Sequence, residues 1–151
     1  MNINVKKISE LDFRNLKIPT LFEDEPIDRA FGIVSNGRAE YKIGWQSEDI
    51  KPVVKCINVL LCSIGIDLVF VIFDFSTGEV LKKVYLDYYF YDIIIHKELL
   101  FVITQLEVIR IITTDFSLNK TYSLPDYIEN FKIEKGILVI KCIGGDIVYV
   151  Q

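Results

Sequence analysis

The chain alternates between short apolar runs and short polar breaks, and the runs have the length of strands. Glu107-Val108-Ile109-Arg110-Ile111 shows the two-residue alternation of a strand with one wet face. Leu68–Phe73 is apolar throughout, as in a strand covered on both sides. Ser76-Thr77-Gly78-Glu79 and Gly144-Gly145-Asp146 read as turns, with glycine supplying backbone angles that other residues avoid. Nearer the start, Phe31–Val34 and Ala39–Trp45 flank Ser35-Asn36-Gly37-Arg38, and Asn-Gly between apolar runs is a strong hairpin signal. A helical period is suggested only over Ser9–Leu16, too short to hold a helix by propensity alone. The pattern predicts an all-β chain.

It also repeats. Tyr89–Leu99 lies over Tyr127–Ile137 at an offset of 38 residues, so that Tyr89 meets Tyr127, Asp92 meets Asn130, Ile95 meets Ile133 and Lys97 meets Lys135. Val59-Leu60-Leu61 lies over Leu99-Leu100-Phe101 at offset 40, and Asp74-Phe75-Ser76 over Asp115-Phe116-Ser117 at offset 41. These matches define antiparallel four-strand units of roughly 40 residues. They span about 53–91, 92–129 and 130–151, after a non-repeating N-terminal part, 1–52, that carries the hairpin. In the middle unit the strands are expected near 92–95, 99–104, 106–113 and 118–124. The third unit runs out before a fourth strand, and Ile3–Ile8 is a candidate to supply it and cover the edge. Glu23-Asp24-Glu25-Pro26 and 47–52 are expected to be polar loops.

The segment Val71-Ile72-Phe73-Asp74-Phe75-Ser76-Thr77-Gly78-Glu79-Val80 resembles the end of the third strand, the turn and the start of the fourth strand in a β-propeller blade, as in WD-repeat and related proteins. The resemblance covers about 52–150 and implies a partial or small propeller-like fold within one all-β domain, 1–151. Neither a Trp-Asp dipeptide nor a Gly-His pair accompanies it. Closed propellers use four or more blades, and the repeats supply about three, which leaves a β-sandwich as the alternative.

Composition narrows the function. The longest uncharged stretch, Cys56–Ile66, is far short of the roughly 20 residues a membrane-crossing helix needs. Met1–Leu11 carries Lys6, Lys7 and Glu10 and no apolar signal core. A soluble, cytoplasmic protein with no membrane partner is therefore expected. Three cysteines, an odd number, argue against a disulfide framework, and Cys56, Cys62 and Cys142 read as buried core thiols. With one histidine and no CxxC, no metal or other cofactor is expected. The formal net charge of −4 disfavours nucleic acid. Residues 1–55 balance nine acidic against nine basic side chains; residues 56–151 carry twelve against eight, a surplus that would steer a basic partner. Isoleucine occurs 24 times and alanine twice, which fits strand propensity and the AT-rich coding common in mobile bacterial cassettes.

Little chemistry is visible. His96 reads as an exposed, dispensable turn residue, its counterparts being Glu134 and Cys56. There is no Gly-x-Ser-x-Gly elbow and no phosphate loop before a helix. Asp67, Asp74, Asp115 and Asp146 fall at strand ends, where aspartate caps turns; a hydrolase using a carboxylate pair is the enzymatic alternative. In Leu86-Asp87-Tyr88-Tyr89-Phe90-Tyr91-Asp92, Tyr89 recurs as Tyr127 and reads as structural, with alternate rings packed inward. Tyr88 and Tyr91 are matched by Asp126 and Glu129 and read as partner-binding. Trp45 is expected in the core, ahead of a polar loop that contributes Glu48 and Asp49. The candidate partner-binding residues are thus Glu48, Asp49, Asp87, Tyr88 and Tyr91, and no catalytic residue is assigned.

A short, acidic, isoleucine-rich chain without active-site motifs resembles in profile the immunity proteins of bacterial contact-dependent inhibition and other polymorphic toxin systems. The resemblance implies a non-catalytic protein that binds and neutralises a cognate toxin domain, of a basic, nuclease type. A propeller-like scaffold domain is the alternative, and it predicts self-association through open sheet edges.

Overall fold

The computed structural model describes residues 2–24 and 29–151; Glu25 and Pro26 of the expected acidic loop lie outside the described residues. The chain divides into two compact units, up to Tyr85 and from Leu86 onward. Each holds two sheets around its own core.

In the first unit, β1 (Asn4–Ile8), β2 (Thr20–Glu23), β3 (Ala30–Ser35) and β4 (Glu40–Trp45) form one sheet in the order β1-β3-β4-β2. The β3–β4 hairpin turns at Asn36-Gly37, where the Asn36 side chain accepts from the amides of Arg38 and Ala39 at 2.9 and 2.8 Å. Non-repeating sequence thus builds a four-stranded sheet, but by another route: β2 joins β4 in parallel, and the chain crosses the sheet to reach it. The crossing carries α1 (Glu10–Asn15), so the helical signal at Ser9–Leu16 is real. Ser9 caps it, its Oγ accepting from the Asp12 amide at 3.1 Å. So short a helix persists because Phe13 packs on Phe31 with centroids 4.8 Å apart. Lys42 Nζ also donates to the carbonyls of Phe13 and Leu16, both at 2.8 Å. The expectation that Ile3–Ile8 completes the last unit is corrected: β1 pairs antiparallel with β3, its apolar Val5 facing the first core.

The second sheet of this unit is an antiparallel meander of β5 (Val53–Cys56), β6 (Leu61–Ile66), β7 (Val69–Asp74) and β8 (Val80–Tyr85). Val34, Tyr41, Ile43 and Trp45 from the first sheet pack against Ile64, Ile66, Val71, Phe73 and Phe75 from the second. Tyr41 reaches furthest, its hydroxyl donating to the Phe75 carbonyl at 2.7 Å in the buried interior.

The second unit holds β9 (Phe90–His96), β10 (Leu99–Thr104), β11 (Glu107–Ile112) and β12 (Leu118–Ser123) in one meander. Then β13 (Ile128–Glu134), β14 (Ile137–Cys142) and β15 (Ile147–Val150) form a three-stranded one. Phe101, Ile103, Val108, Leu138, Ile140 and Val150 form their shared core. The fold is all-β, and its second and third sheets are antiparallel four-strand meanders of the propeller-blade kind. The expected strand spans in the middle unit are matched to within about two residues.

The repeat keeps one spacing along most of its length. Leu61 faces Asp74 where Leu99 faces Ile112, and Val69 faces Tyr85 where Glu107 faces Ser123, so the second and third sheets superpose on a shift of 38 residues. A bulge recurs on that shift, at Leu81 opposite Ile72/Phe73 and at Asn119 opposite Arg110/Ile111. Another recurs at Tyr91 and Glu129. The sequence match of Asp74-Phe75-Ser76 with Asp115-Phe116-Ser117 is therefore out of structural register by three residues. The position of Gly78, at φ +78°, is taken by Phe116, at φ +60°. The turn cap at Thr77, whose hydroxyl accepts from the Glu79 amide, is taken by Asp115, which accepts from the Ser117 amide. Likewise the counterpart of His96, opposite the first residue of the next strand, is Ile57 and not Cys56.

Candidate functional site

The five sequence-predicted residues fall at two places. Glu48 and Asp49 lie in the connection after β4, and buried groups hold that connection still. Asp67, 4 % exposed and at φ +51°, turns its carboxylate onto it. One carboxylate oxygen accepts from the amides of Gln46 and Ser47 at 3.0 and 3.1 Å, and the other accepts from Ser47 Oγ at 2.5 Å. Trp45 Nε1, from the core, donates to the carbonyls of Ser47 and Ile50 at 2.8 and 3.0 Å. Trp45 is a core residue as expected, and Asp67 is not a surface turn cap but a buried clasp between two sheets. The side chains of Glu48 and Asp49 lie beside an open depression of about 320 Å³ that Lys7, Ile50 and Lys51 also line. Lys7 Nζ donates to the Glu48 carbonyl at 2.5 Å. Two lysines at its rim blunt the acidic character that singled this loop out.

Asp87, Tyr88 and Tyr91 belong to the second unit, where the arrangement is more distinctive. The chain enters each sheet through matching segments, Leu86–Tyr89 and Leu124–Tyr127. The leucine of each is buried and the tyrosine exposed: Tyr89 is 51 % and Tyr127 50 % accessible. Backbone bonds tie these entries to the neighbouring hairpins. The Gln105 amide donates to the Tyr89 carbonyl at 2.9 Å, and the Ile128 amide donates to the Gln105 carbonyl at 3.0 Å. The Ile143 amide donates to the Tyr127 carbonyl at 2.8 Å. Tyr89, Gln105, Tyr127 and Ile143 therefore stand in a row along one end of the unit, with Ile143 65 % exposed. Tyr88 and Tyr91 flank the row, each 40 % exposed. Tyr91 also donates to the Glu129 carbonyl at 3.1 Å and meets the Phe131 ring edge-on, so it links the two sheets as well.

The inward-packed rings expected for this segment are thus corrected. Tyr89 repeats because its carbonyl anchors the hairpin, while its ring faces solvent. Repetition marked the backbone role and concealed the exposed side chain, and Tyr127 was missed for the same reason; Ile143, whose counterpart is Gln105, carried no sequence signal. Burial, and then the charge of Asp87, push the Glu107 carboxyl above the ordinary glutamate range.

His96 ends β9 and is half-buried, its ring facing Gly136 of the next sheet's hairpin, which corrects the exposed turn position expected for it. The Asp74 carboxylate is occupied by Ser76, accepting from its hydroxyl and its amide at 2.6 and 2.8 Å, which holds its pKa below the usual range. Among the described residues no group of three or more His, Cys, Asp or Glu side chains is placed to hold a metal ion. Among them, too, no helix is long and apolar enough to cross a membrane.

No protein-family model matches the chain, and no characterised protein sequence matches it. Among solved structures it is similar to Hsv2 of Kluyveromyces marxianus, with 10 % identity and a TM-score of 0.49 over 76 % of this chain and 39 % of that one. It is also similar to Hsv2 of Kluyveromyces lactis, with 12 % identity and a TM-score of 0.46 over 80 % of this chain and 40 % of that one. The chain spans about two fifths of the length of either structure.

Proposed function

We propose that this chain is a non-catalytic protein-binding domain whose contact surface is the tyrosine row of its second unit. One observation carries the reading: Tyr89 and Tyr127 expose their side chains on a backbone-tied row, and the partly exposed Tyr88 and Tyr91 flank it. Tyrosine is enriched at interfaces because it combines a large apolar face with a polar tip and loses little rotamer freedom on contact. A ring fixed by a hydrogen-bonded backbone is already ordered before a partner arrives, which lowers the entropic cost of binding.

The finer reading is an immunity protein that covers a basic, nuclease-type toxin domain. It is supported by the net charge of −4 and by Asp87 and Asp126 in the segments that form the row, Glu129 beside them being paired with Lys141. The test is to express the chain with the product of the adjacent gene and measure association at two salt concentrations. Steering by charge makes the association rate fall as salt screens the field, over a Debye length of about 8 Å at physiological ionic strength. Truncating Tyr88 or Tyr127 to alanine is expected to speed dissociation and cost about 2 kcal/mol or more at a true anchor. Failure of both variants to weaken a complex that does form would remove the row from the interface. Turnover of a small substrate by the chain alone would overturn the non-catalytic reading.

A scaffold role has its own observation. The last sheet has three strands, and β15 forms its edge with Ile147 and Tyr149 exposed. An uncharged edge of this kind pairs readily with a second copy of itself. Concentration-dependent dimerisation in solution, lost on Ile147→Lys, is the outcome that favours this reading.

A further inference from the structure

Cys56 and Cys62 are direct cross-strand partners on β5 and β6. The next pair towards the hairpin tip is hydrogen-bonded, the Ile57 amide donating to the Leu61 carbonyl at 2.8 Å. Antiparallel ladders alternate, so Cys56 and Cys62 occupy a non-hydrogen-bonded pair, where Cα atoms approach to about 4.5 Å and side chains lie closest. Disulfides accept Cα separations of roughly 4.4–6.8 Å. The two sulfurs are already 2.8 Å apart, both thiols being free. The pair is asymmetric. Cys62 is fully buried among Ile64, Val71 and Phe73, whereas Cys56 is half-buried on β5, the outermost strand of its sheet. Burial, and then the contact with Cys56, push the Cys62 thiol well above its usual range.

We propose that Cys56 and Cys62 form a dithiol that hydrogen peroxide converts to an intramolecular disulfide. Cys56, the accessible member, attacks the peroxide as thiolate. The O–O bond breaks, one oxygen stays on Cys56 as the sulfenic acid, and the other leaves as water after taking a proton. The Cys62 sulfur then attacks the sulfenic sulfur, and its proton goes to the departing hydroxide. One S–S bond is formed, two thiols are oxidised, and one peroxide is reduced to two waters. Burial keeps Cys62 protonated and unreactive towards solvent oxidants, so it serves as the resolving thiol. The crosslink fixes the outermost strand of the sheet to its neighbour and closes the hairpin that carries the exposed Val59 and Leu60.

The experiment uses the whole reduced chain. It is treated with hydrogen peroxide, quenched with catalase, unfolded in guanidinium chloride, alkylated with iodoacetamide, and mapped by mass spectrometry without reduction. The expected product is lighter than the reduced chain by two hydrogens before alkylation, carries a single alkyl group, at Cys142, and links the Cys56 and Cys62 peptides. The Cys142→Ser variant is expected to give the same linkage with no alkylation. The Cys56→Ser variant, whose fold is checked by its melting profile, is expected to leave Cys62 reduced. Three alkylated cysteines at a peroxide dose that fully oxidises free glutathione would overturn the proposal. So would a linkage that includes Cys142 or joins two chains. Repeating the treatment in denaturant controls for geometry: the Cys56–Cys62 linkage should form several-fold more slowly when the strands are not paired, and an equal rate would also count against it.

Discussion

Asp67 offers the sharpest test of how the first unit is held together. It accepts three hydrogen bonds from a loop that follows another sheet, and it does so from a left-handed backbone conformation. The two contributions separate by substitution. An asparagine in its place tolerates positive φ, keeps one oxygen for the Gln46 and Ser47 amides, and can donate to Ser47 Oγ in reversed polarity. Asp67→Asn is therefore expected to lose only charge assistance, about 1 kcal/mol. A glycine in its place suits the backbone but leaves two amides without their acceptor, at about 1–3 kcal/mol each when buried. These loop amides are only half-buried, so the lower end applies, and Asp67→Gly is expected to cost about 3 kcal/mol in all once the Ser47 hydroxyl is counted. Asp67→Ala adds the left-handed penalty of roughly 1 kcal/mol and should be the worst of the three. The assay is urea unfolding followed by fluorescence. The sole tryptophan, Trp45, is buried and donates into the same loop, so it reports the loop directly. Equal midpoints for the Gly and Ala variants would refute the backbone part of the reasoning. A loss below about 1 kcal/mol in Asp67→Ala would refute the clasp itself.

Two further outcomes follow from the turns and the tyrosine row. A Cβ at Gly78 would sit 2.5 Å from Tyr41 Cε1 at φ +78°, so Gly78→Ala is expected to cost about 2–4 kcal/mol in denaturant melts. The Glu107 carboxyl has its folded pKa raised by burial and by Asp87, so its proton is held more tightly in the fold than in the unfolded chain. Its contribution to stability is fully present below the ordinary glutamate pKa of about 4.3 and is lost as pH rises through the folded value. Asp87→Asn is expected to lower the Glu107 pKa, read from its side-chain carbonyl shift by NMR titration; an unchanged titration would show that burial acts alone.

The strands were legible because period-two patterning and turn residues are local signals, and β9 to β12 fall within about two residues of the spans those signals place. The repeat was legible at Tyr89/Tyr127 and Lys97/Lys135, where the same residue serves the same backbone need. Lys97 and Lys135 both sit at positive φ in two-residue hairpins. Where different residues serve one need, as Gly78 and Phe116 do, letter-by-letter matching loses the register. The first sheet was illegible as a repeat because its outer strands arrive by a crossing with a parallel pairing, which no periodicity encodes. The tyrosine row was half legible: Tyr88 and Tyr91 stood out by lacking counterparts. Exposure of Tyr89 and Tyr127 depends on which side of the entry segment each ring takes, a tertiary property. The buried clasp at Asp67 left no sequence mark beyond an aspartate at a strand end.

The constant spacing fails at only two hairpins between the second sheet and the chain end. The β5–β6 tip has three residues, Asn58-Val59-Leu60, where its counterpart has two, Lys97-Glu98. The β14–β15 tip has three, Ile143-Gly144-Gly145, where its counterpart has two, Gln105-Leu106. Every strand between holds its place, since one residue gained inside a strand would send each later side chain to the opposite face. The chain's capacity to change length is thus concentrated at these tips. Short foreign sequences, such as an epitope or a dye-labelling tag, are expected to be tolerated at the exposed Val59, and the same inserts within a strand are expected to scramble the sheet.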